Sequence, residues 1–201
     1  MRPATTRPFS EEAAEAFAFL GECGFRRDTN EANRLSLEGP RASVVVEWEP
    51  RSGELTVYIG LRPRSGPTDE LFTLDDILAM EAVGVDRRAP IQIADSSKLR
   101  PFLDQLAGEI QKYAAPAVSG DRMFFQRLRA FRSARARAFE EDAVLRRIRS
   151  AAAEAWKDRD YEKVVSIFEP VEAELSDSER AKLQFAQRHV QQPPKGSGTR
   201  R

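Results

Sequence analysis

The sequence has few of the side chains from which reactive or cross-linked sites are built. Its 201 residues include one cysteine and one histidine. The single cysteine, Cys23, excludes an intramolecular disulfide and a multi-cysteine zinc site. The single histidine, His189, lies close to the C-terminus, away from any obvious nucleophile, so it is a poor candidate for a catalytic base. We therefore expect a non-enzymatic protein with no catalytic residue, metal site or cofactor, in a reducing compartment.

Long apolar runs are also missing. No uncharged stretch of about 18 apolar residues occurs, and the first eight residues lack the apolar centre of a signal peptide. Hydrophobic residues make up 41% and charged residues 32% of the chain, which is more polar than the average globular protein but not apolar-poor enough to keep the chain disordered. Only 6 of the 32 basic residues are lysines, a bias typical of GC-rich bacterial genomes. We expect a cytoplasmic bacterial protein with no membrane partner.

The net charge is zero, but the charges are unevenly distributed. Residues 1–115 carry 14 basic and 19 acidic side chains, whereas residues 116–149 carry 9 and 4. This asymmetry suits an acidic body that packs on its own basic helix, and it also suits a basic surface for nucleic acid. The sequence favours the first interpretation.

The first helix is predicted between about Ser10 and Cys23. Ser10 is a candidate N-cap, and the apolar residues Ala13, Phe17 and Leu20 recur at helical spacing. Gly24 is suited to a left-handed C-terminal position, with Phe25 folding back as the apolar contact.

Period-two alternation then predicts three strands, at 35–37, 43–48 and 55–61. Gly39-Pro40 and Pro50-Arg51-Ser52-Gly53 provide the two turns. The result is a three-stranded antiparallel meander with an apolar face that includes Val44, Val46 and Trp48.

The opposite face of this meander is the candidate working surface. It carries Glu47, Glu49, Thr56 and Tyr58, which the alternation places away from the apolar side. An acidic rim around a tyrosine suits capture of a basic protein partner, such as a basic toxin domain. The alternative is that the long arginine-rich helix covers this face and pairs with Glu47 and Glu49.

The rest of the N-terminal body is predicted to be mainly helical. After a loop from Arg62 to Leu71, Thr73 caps a helix that continues to about Val83. The segment after Gly84 is expected to be irregular, with a short fourth strand at Ile91 and Ile93. A further helix begins at Asp95 or Ser96 and ends near 113–116. Residues 1–115 thus form an α+β body.

The remaining chain is predicted to be an all-helical extension over 116–190 and a disordered tail over 191–201. Residues 121–157 contain no proline or glycine, which predicts one long helix or two helices with a bend. Nine arginines lie on it at scattered helical angles, so a nucleic-acid surface is the weaker interpretation. They are Arg122, Arg127, Arg129, Arg132, Arg135, Arg137, Arg146, Arg147 and Arg149.

The segment 153–169 resembles a tetratricopeptide repeat, with Asp160-Tyr161-Glu162-Lys163 opening the second helix. The resemblance implies that Ala152 occupies the small position of the first helix and Phe168 the large position of the second. One period later, Phe185 and Ala186 fit the next large and small pair. It implies a helical hairpin that either packs on the body or binds a partner.

The N-terminal body, with its Phe17–Leu20 helix, its hairpin and Phe72-Thr73-Leu74-Asp75-Asp76, resembles small bacterial toxin-immunity proteins in layout. The resemblance implies a protein-binding function as an immunity factor or antitoxin. Two alternatives stay open. These are a nucleic-acid-associated protein that uses the arginine-rich helix, and an enzyme whose site is not recognisable in the sequence.

Overall fold

The computed structural model describes residues 8–62, 70–81, 91–93 and 95–191. The chain forms two compact units, Met1–Ser133 and Ala134–Arg201. Each unit has its own cluster of buried apolar side chains. The first unit combines an antiparallel sheet with helices, so the predicted α+β class is confirmed.

The strands are β1 (Arg26–Glu31), β2 (Arg34–Glu38), β3 (Ala42–Glu49), β4 (Glu54–Leu61), β5 (Leu71–Thr73) and β6 (Ile91–Gln92). They pair in the order β1-β2-β3-β4-β5, and β6 pairs with the first residues of β4. Every pairing is antiparallel.

The helices of the first unit are α1 (Phe9–Ala16), α2 (Phe19–Glu22), α3 (Leu74–Met80), α4 (Leu99–Tyr113) and α5 (Ala115–Val118). A 3-10 turn at Ser96–Lys98 precedes α4. Helix α6 (Arg122–Lys157) begins in the first unit and ends in the second. Of the two predicted alternatives, one long helix or two helices with a bend, the structure has the first.

The meander of three strands is correct for β2, β3 and β4, but the sheet in the described part of the chain has six. Strand β1 has the sequence Arg-Arg-Asp-Thr-Asn-Glu, which shows no apolar alternation because it contains no apolar residue. Strand β5 has three residues and β6 two, too few to show a period. The fourth strand expected at Ile91 is β6.

The first predicted helix is interrupted, and its expected cap is wrong. Between α1 and α2, Phe17 and Ala18 form a turn in which the Ala18 N–H donates to the Glu15 carbonyl, three residues back, at 3.4 Å. Ser10 lies inside α1, where its side chain is buried, and Pro8 occupies the N-cap position. The predicted end is correct: Gly24 has φ +83°, and the Phe25 N–H donates to the carbonyl of Leu20 at 3.0 Å.

The hairpin between β3 and β4 closes as predicted, at Gly53 with φ +71°. The Gly53 N–H donates to the Glu49 carbonyl at 2.7 Å, and the Gly53 carbonyl accepts from the Ile93 N–H at 2.6 Å. A Cβ at this position would lie 2.9 Å from the Ile93 backbone. The turn therefore needs glycine for its conformation and for this close approach.

The core of the first unit lies between the apolar face of the sheet and the helices. Val46 is paired with Leu35 and Val57, and all three are buried in the same cluster as Leu103 of α4. Thr73 caps α3 as predicted, since its hydroxyl accepts from the Asp76 N–H at 3.1 Å and the Asp76 carboxylate accepts from the Thr73 N–H.

The first unit extends past the predicted boundary at residue 115. Phe124, Phe125 and Leu128 of α6 are almost fully buried in its core, and Phe125 packs against Phe72 with ring centroids 6.0 Å apart. The start of the long helix is therefore part of the α+β body. The predicted irregular segment from Gly84 to Pro90 and all of the predicted tail except Gln191 lie outside the described residues.

The second unit contains the C-terminal part of α6, α7 (Tyr161–Phe168), a 3-10 turn at Glu169–Glu174 and α8 (Asp177–Gln191). Asp160 caps α7 by accepting from the Lys163 N–H at 3.1 Å. Its core consists of Ala152, Ala155, Val164, Phe168, Leu175, Leu183 and Ala186. Ala152, Phe168 and Ala186 are thus buried, whereas Phe185 is exposed.

Candidate partner-binding surface

The strand register brings the four predicted surface residues onto one face of the sheet. Glu47 of β3 lies directly opposite Thr56 of β4, and Tyr58 lies opposite Val45. Glu49 is on the same face as Glu47 because alternate residues of a strand share a face. We call Glu47, Glu49, Thr56 and Tyr58, with their cross-strand neighbours Arg34 and Glu54, the polar sheet face.

Two of the three acidic members of this face are exposed, and the third, Glu54, is half-buried. Glu47 and Glu49 are exposed, whereas Thr56 and Tyr58 are half-buried. The Thr56 hydroxyl donates to the Glu54 carboxylate at 3.4 Å, and the Arg51 N–H donates to the Glu49 carboxylate at 3.1 Å. The carboxylates are thus held close to the strand ends by short-range polar contacts.

Two residues of the polar sheet face were missed by the sequence analysis. Glu54 is paired with Glu49, so two carboxylates stand directly opposite each other across the hairpin. Arg34 of β2 is paired with Glu47, and its Nε is buried with no hydrogen-bond partner among the described residues. Counting outward from the Pro50–Gly53 turn would have identified the first pairing, because the turn fixes the register.

The pairing of Glu49 with Glu54 has an energetic cost in the isolated protein. Like charges directly opposite each other in an antiparallel pair are destabilising, by up to about 1 kcal/mol. A cationic group placed between them would relieve this repulsion. The polar sheet face thus has a charge arrangement that favours a basic ligand.

Five arginines of α6 contact carboxylates that are not members of the polar sheet face. In the first unit, Arg129 and Arg132 contact Glu70 at 3.5 and 3.0 Å, and Arg127 contacts Glu81 at 3.6 Å. In the second unit, Arg149 contacts Glu179 at 3.0 Å and Arg146 contacts Asp142. These five contacts are with carboxylates other than Glu47 and Glu49.

The single cysteine and the single histidine lie in different units. The Cys23 thiol is exposed in the first unit. His189 in the second unit is also exposed, its Nδ1 lies 3.1 Å from the Phe185 carbonyl, and its ring stacks on Phe185 at 4.0 Å. Within the described ranges, no group of three or more His, Cys, Asp or Glu side chains could hold a metal ion.

The sequence predicts no membrane partner, an expectation that concerns the helices of the described ranges. None of them combines the length and the apolar character needed to span a bilayer.

The chain was also compared with protein-family models, curated proteins and solved structures, and none of the three comparisons gives a match. The resemblances to tetratricopeptide repeats and to immunity proteins therefore stay predictions, and the functional argument depends on the geometry of the chain itself.

Proposed function

We propose that this chain is a non-enzymatic, cytoplasmic bacterial protein that binds a basic protein through the polar sheet face. The observation that carries the proposal is the set of three carboxylates on this face, Glu47, Glu49 and Glu54, two of which oppose each other directly. The proposed partner is a basic toxin domain, which would make the chain an immunity factor or an antitoxin.

The physical basis is electrostatic attraction combined with aromatic contact. A patch of one sign speeds the encounter with an oppositely charged partner and discriminates against acidic proteins. Tyr58 adds contact area at a low entropic cost, since its side chain has few rotatable bonds. Arg34 is paired with Glu47 across β2 and β3, so this face carries one positive charge beside its three carboxylates.

The test uses the double variant Glu47→Lys with Glu49→Lys as bait. Tagged wild-type protein should recover a basic protein from a lysate of the source bacterium, and the double variant should lose it. The wild-type complex should also weaken steeply between about 50 and 300 mM salt, because exposed charges are screened within about 10 Å at 0.1 M. A partner of the proposed type inhibits growth when expressed alone, and co-expression of this chain restores growth.

A matched control is Glu11→Lys with Glu12→Lys, which makes the same charge change on α1. It should retain the partner. Unfolding of all three proteins is measured alongside, because a charge reversal in β3 can also destabilise the sheet. If the Glu47 and Glu49 variant loses stability but recovers every partner of the wild type, the carboxylates are structural and the proposal is wrong.

The nucleic-acid alternative has its own test. Gel shift against duplex DNA and single-stranded RNA at about 150 mM salt should show only weak, non-specific binding, because five arginines of α6 already have carboxylate partners. Tight binding that is lost in Arg129→Glu with Arg132→Glu would contradict the proposal and favour nucleic acid as the partner.

A further inference from the structure

The first unit contains a half-open cavity of about 440 Å³, away from the polar sheet face. It lies between α2, the turn before β3, the end of α4 and α5. Its lining residues are Phe19, Cys23, Pro40, Arg41, Ile110, Gln111, Ala115, Val118 and Ser119. They come from four separate segments of the first unit, so the cavity depends on the folded body.

The interior of this cavity is mainly apolar. Ile110 is fully buried, and Phe19 and Val118 are half-buried around it. The Ser119 hydroxyl already donates to the Pro116 carbonyl at 2.9 Å. A ligand inside the cavity therefore meets mostly carbon surface, and its apolar part gains by leaving water.

One lining residue carries a charge. Arg41 is exposed, and no carboxylate belongs to the described lining. The cavity therefore combines an apolar interior with one guanidinium group, which is a strong donor to a carboxylate or a phosphate. A cationic ligand would meet a like charge, and a neutral apolar ligand would leave the guanidinium unused.

The size of the cavity limits the ligand. Pockets that hold small molecules have volumes of about 300–1,000 Å³, and a dry cavity of about 150 Å³ holds one benzene. A volume of about 440 Å³ is therefore suited to an apolar body of the size of a medium-length alkyl chain or a pair of small rings.

From this combination we infer that the cavity binds a small amphiphilic carboxylate, with the apolar body against Phe19, Ala115 and Val118 and the carboxylate at Arg41. The inference is independent of the proposed partner binding, because the polar sheet face contributes no residue to the lining.

Calorimetric titration of the full chain with octanoate, octan-1-ol and octylammonium tests the ligand class. Octanoate should bind most tightly, and octylammonium should bind most weakly. Because an exposed ion pair contributes at most about 1 kcal/mol, the preference for octanoate over octan-1-ol should be up to about fivefold. Arg41→Gln should remove that preference and leave the affinity for octan-1-ol unchanged. Arg51→Gln, on the β3–β4 turn, is the matched control and should behave as the wild type.

The single cysteine gives a second, independent measurement. Cys23 lines the cavity and is exposed, so it should react with iodoacetamide in the free protein. Saturating octanoate should slow this alkylation at least about fivefold, as followed by mass spectrometry, because the ligand covers the thiol. Iodoacetamide is neutral, so the charge of Arg41 has little effect on its approach.

A variant that fills the cavity completes the test. Ala115 is exposed and lines the cavity, so Ala115→Trp should fold and should abolish both the binding heat and the protection of Cys23. Ala153→Trp, at an exposed site of the second unit, should change neither. The inference is overturned if octanoate gives neither heat nor protection, if octan-1-ol or octylammonium binds at least as tightly as octanoate, or if folded Ala115→Trp protein binds as the wild type does.

Discussion

At the scale of single residues, Trp48 connects three parts of the first unit. Its ring lies 6.1 Å from that of Phe9 in α1, and its indole Nε1 donates to the Ile93 carbonyl at 3.3 Å. It is paired with Leu55 on the apolar face of the sheet. The side chain therefore fixes a helix and the short segment around β6 to the central hairpin.

Trp48→Ala should lower the free energy of unfolding by about 3 kcal/mol, because it removes a large packed ring and a hydrogen bond. Trp48→Phe keeps most of the ring and should cost about 1 kcal/mol. Urea denaturation followed by circular dichroism measures both. If Trp48→Ala has the same midpoint as the wild type, the side chain does not contribute to packing.

The sequence predicts those residues of the candidate site that follow from the alternation of side chains along a strand. Once β3 and β4 are recognised, Glu47, Glu49, Thr56 and Tyr58 must share a face, because side chains alternate along a strand. The neighbours Arg34 and Glu54 depend on register between strands, and the composition of one strand does not reveal it. The Glu49–Glu54 pairing follows from counting outward from the Pro50–Gly53 turn, whereas the Arg34–Glu47 pairing requires the register between β2 and β3.

At the scale of elements, the helices and strands with a strong apolar pattern are the ones that the sequence predicts well. The helix α4 and strands β2 to β4 each place several apolar residues on one side, and each was predicted close to its observed bounds. Strand β1 has no apolar residue and is formed by backbone pairing with β2. The break between α1 and α2 has no signal in the sequence either, because the apolar pattern continues across it and no proline is present.

The start of α8 has a reciprocal cap that depends on one carboxylate. The Ser176 N–H donates to Glu179 at 2.8 Å, the Glu179 N–H donates to the Ser176 hydroxyl at 3.4 Å, and Arg149 of α6 contacts Glu179 at 3.0 Å. The pKa of Glu179 is lowered, chiefly because the Ser176 backbone N–H donates to the carboxylate, with further contributions from the Ser176 hydroxyl and Arg149. The ionised form therefore stabilises the folded second unit.

Glu179→Gln should cost about 1 kcal/mol at pH 7, the typical value of a helix cap. Because the folded pKa lies below the ordinary value of 4.5, this stabilisation is present above that pH and decreases as the pH falls through the folded pKa. The difference from wild type should thus shrink toward pH 3. Thermal unfolding at both pH values measures it, with Glu154→Gln on the exposed side of α6 as the control. An equal difference at both pH values would show that charge is not involved.

At the scale of the whole molecule, the two separate cores each have their own tryptophan. Trp48 packs against the core of the first unit, and Trp156 packs against the core of the second. Fluorescence from each tryptophan therefore reports on one unit when the other is replaced by phenylalanine.

Phe168→Ala should destabilise the second unit by about 3 kcal/mol, since Phe168 is 3% exposed in its core. In a Trp48→Phe background, the transition reported by Trp156 should move to lower urea concentration. In a Trp156→Phe background, the transition reported by Trp48 should not move. A common shift of both transitions would mean that the two cores unfold as one cooperative unit.

Strand β1 lies at one end of the strand order in the described sheet, where backbone groups of an edge strand are available to other chains. Its exposed Arg26, Arg27, Asp28 and Glu31 carry charge into that edge. Charged side chains along an edge hinder a second molecule from adding its own strand, which is the first step of fibril growth. The charged composition of β1, which leaves no apolar alternation in its sequence, thus also protects the edge of the sheet against self-aggregation.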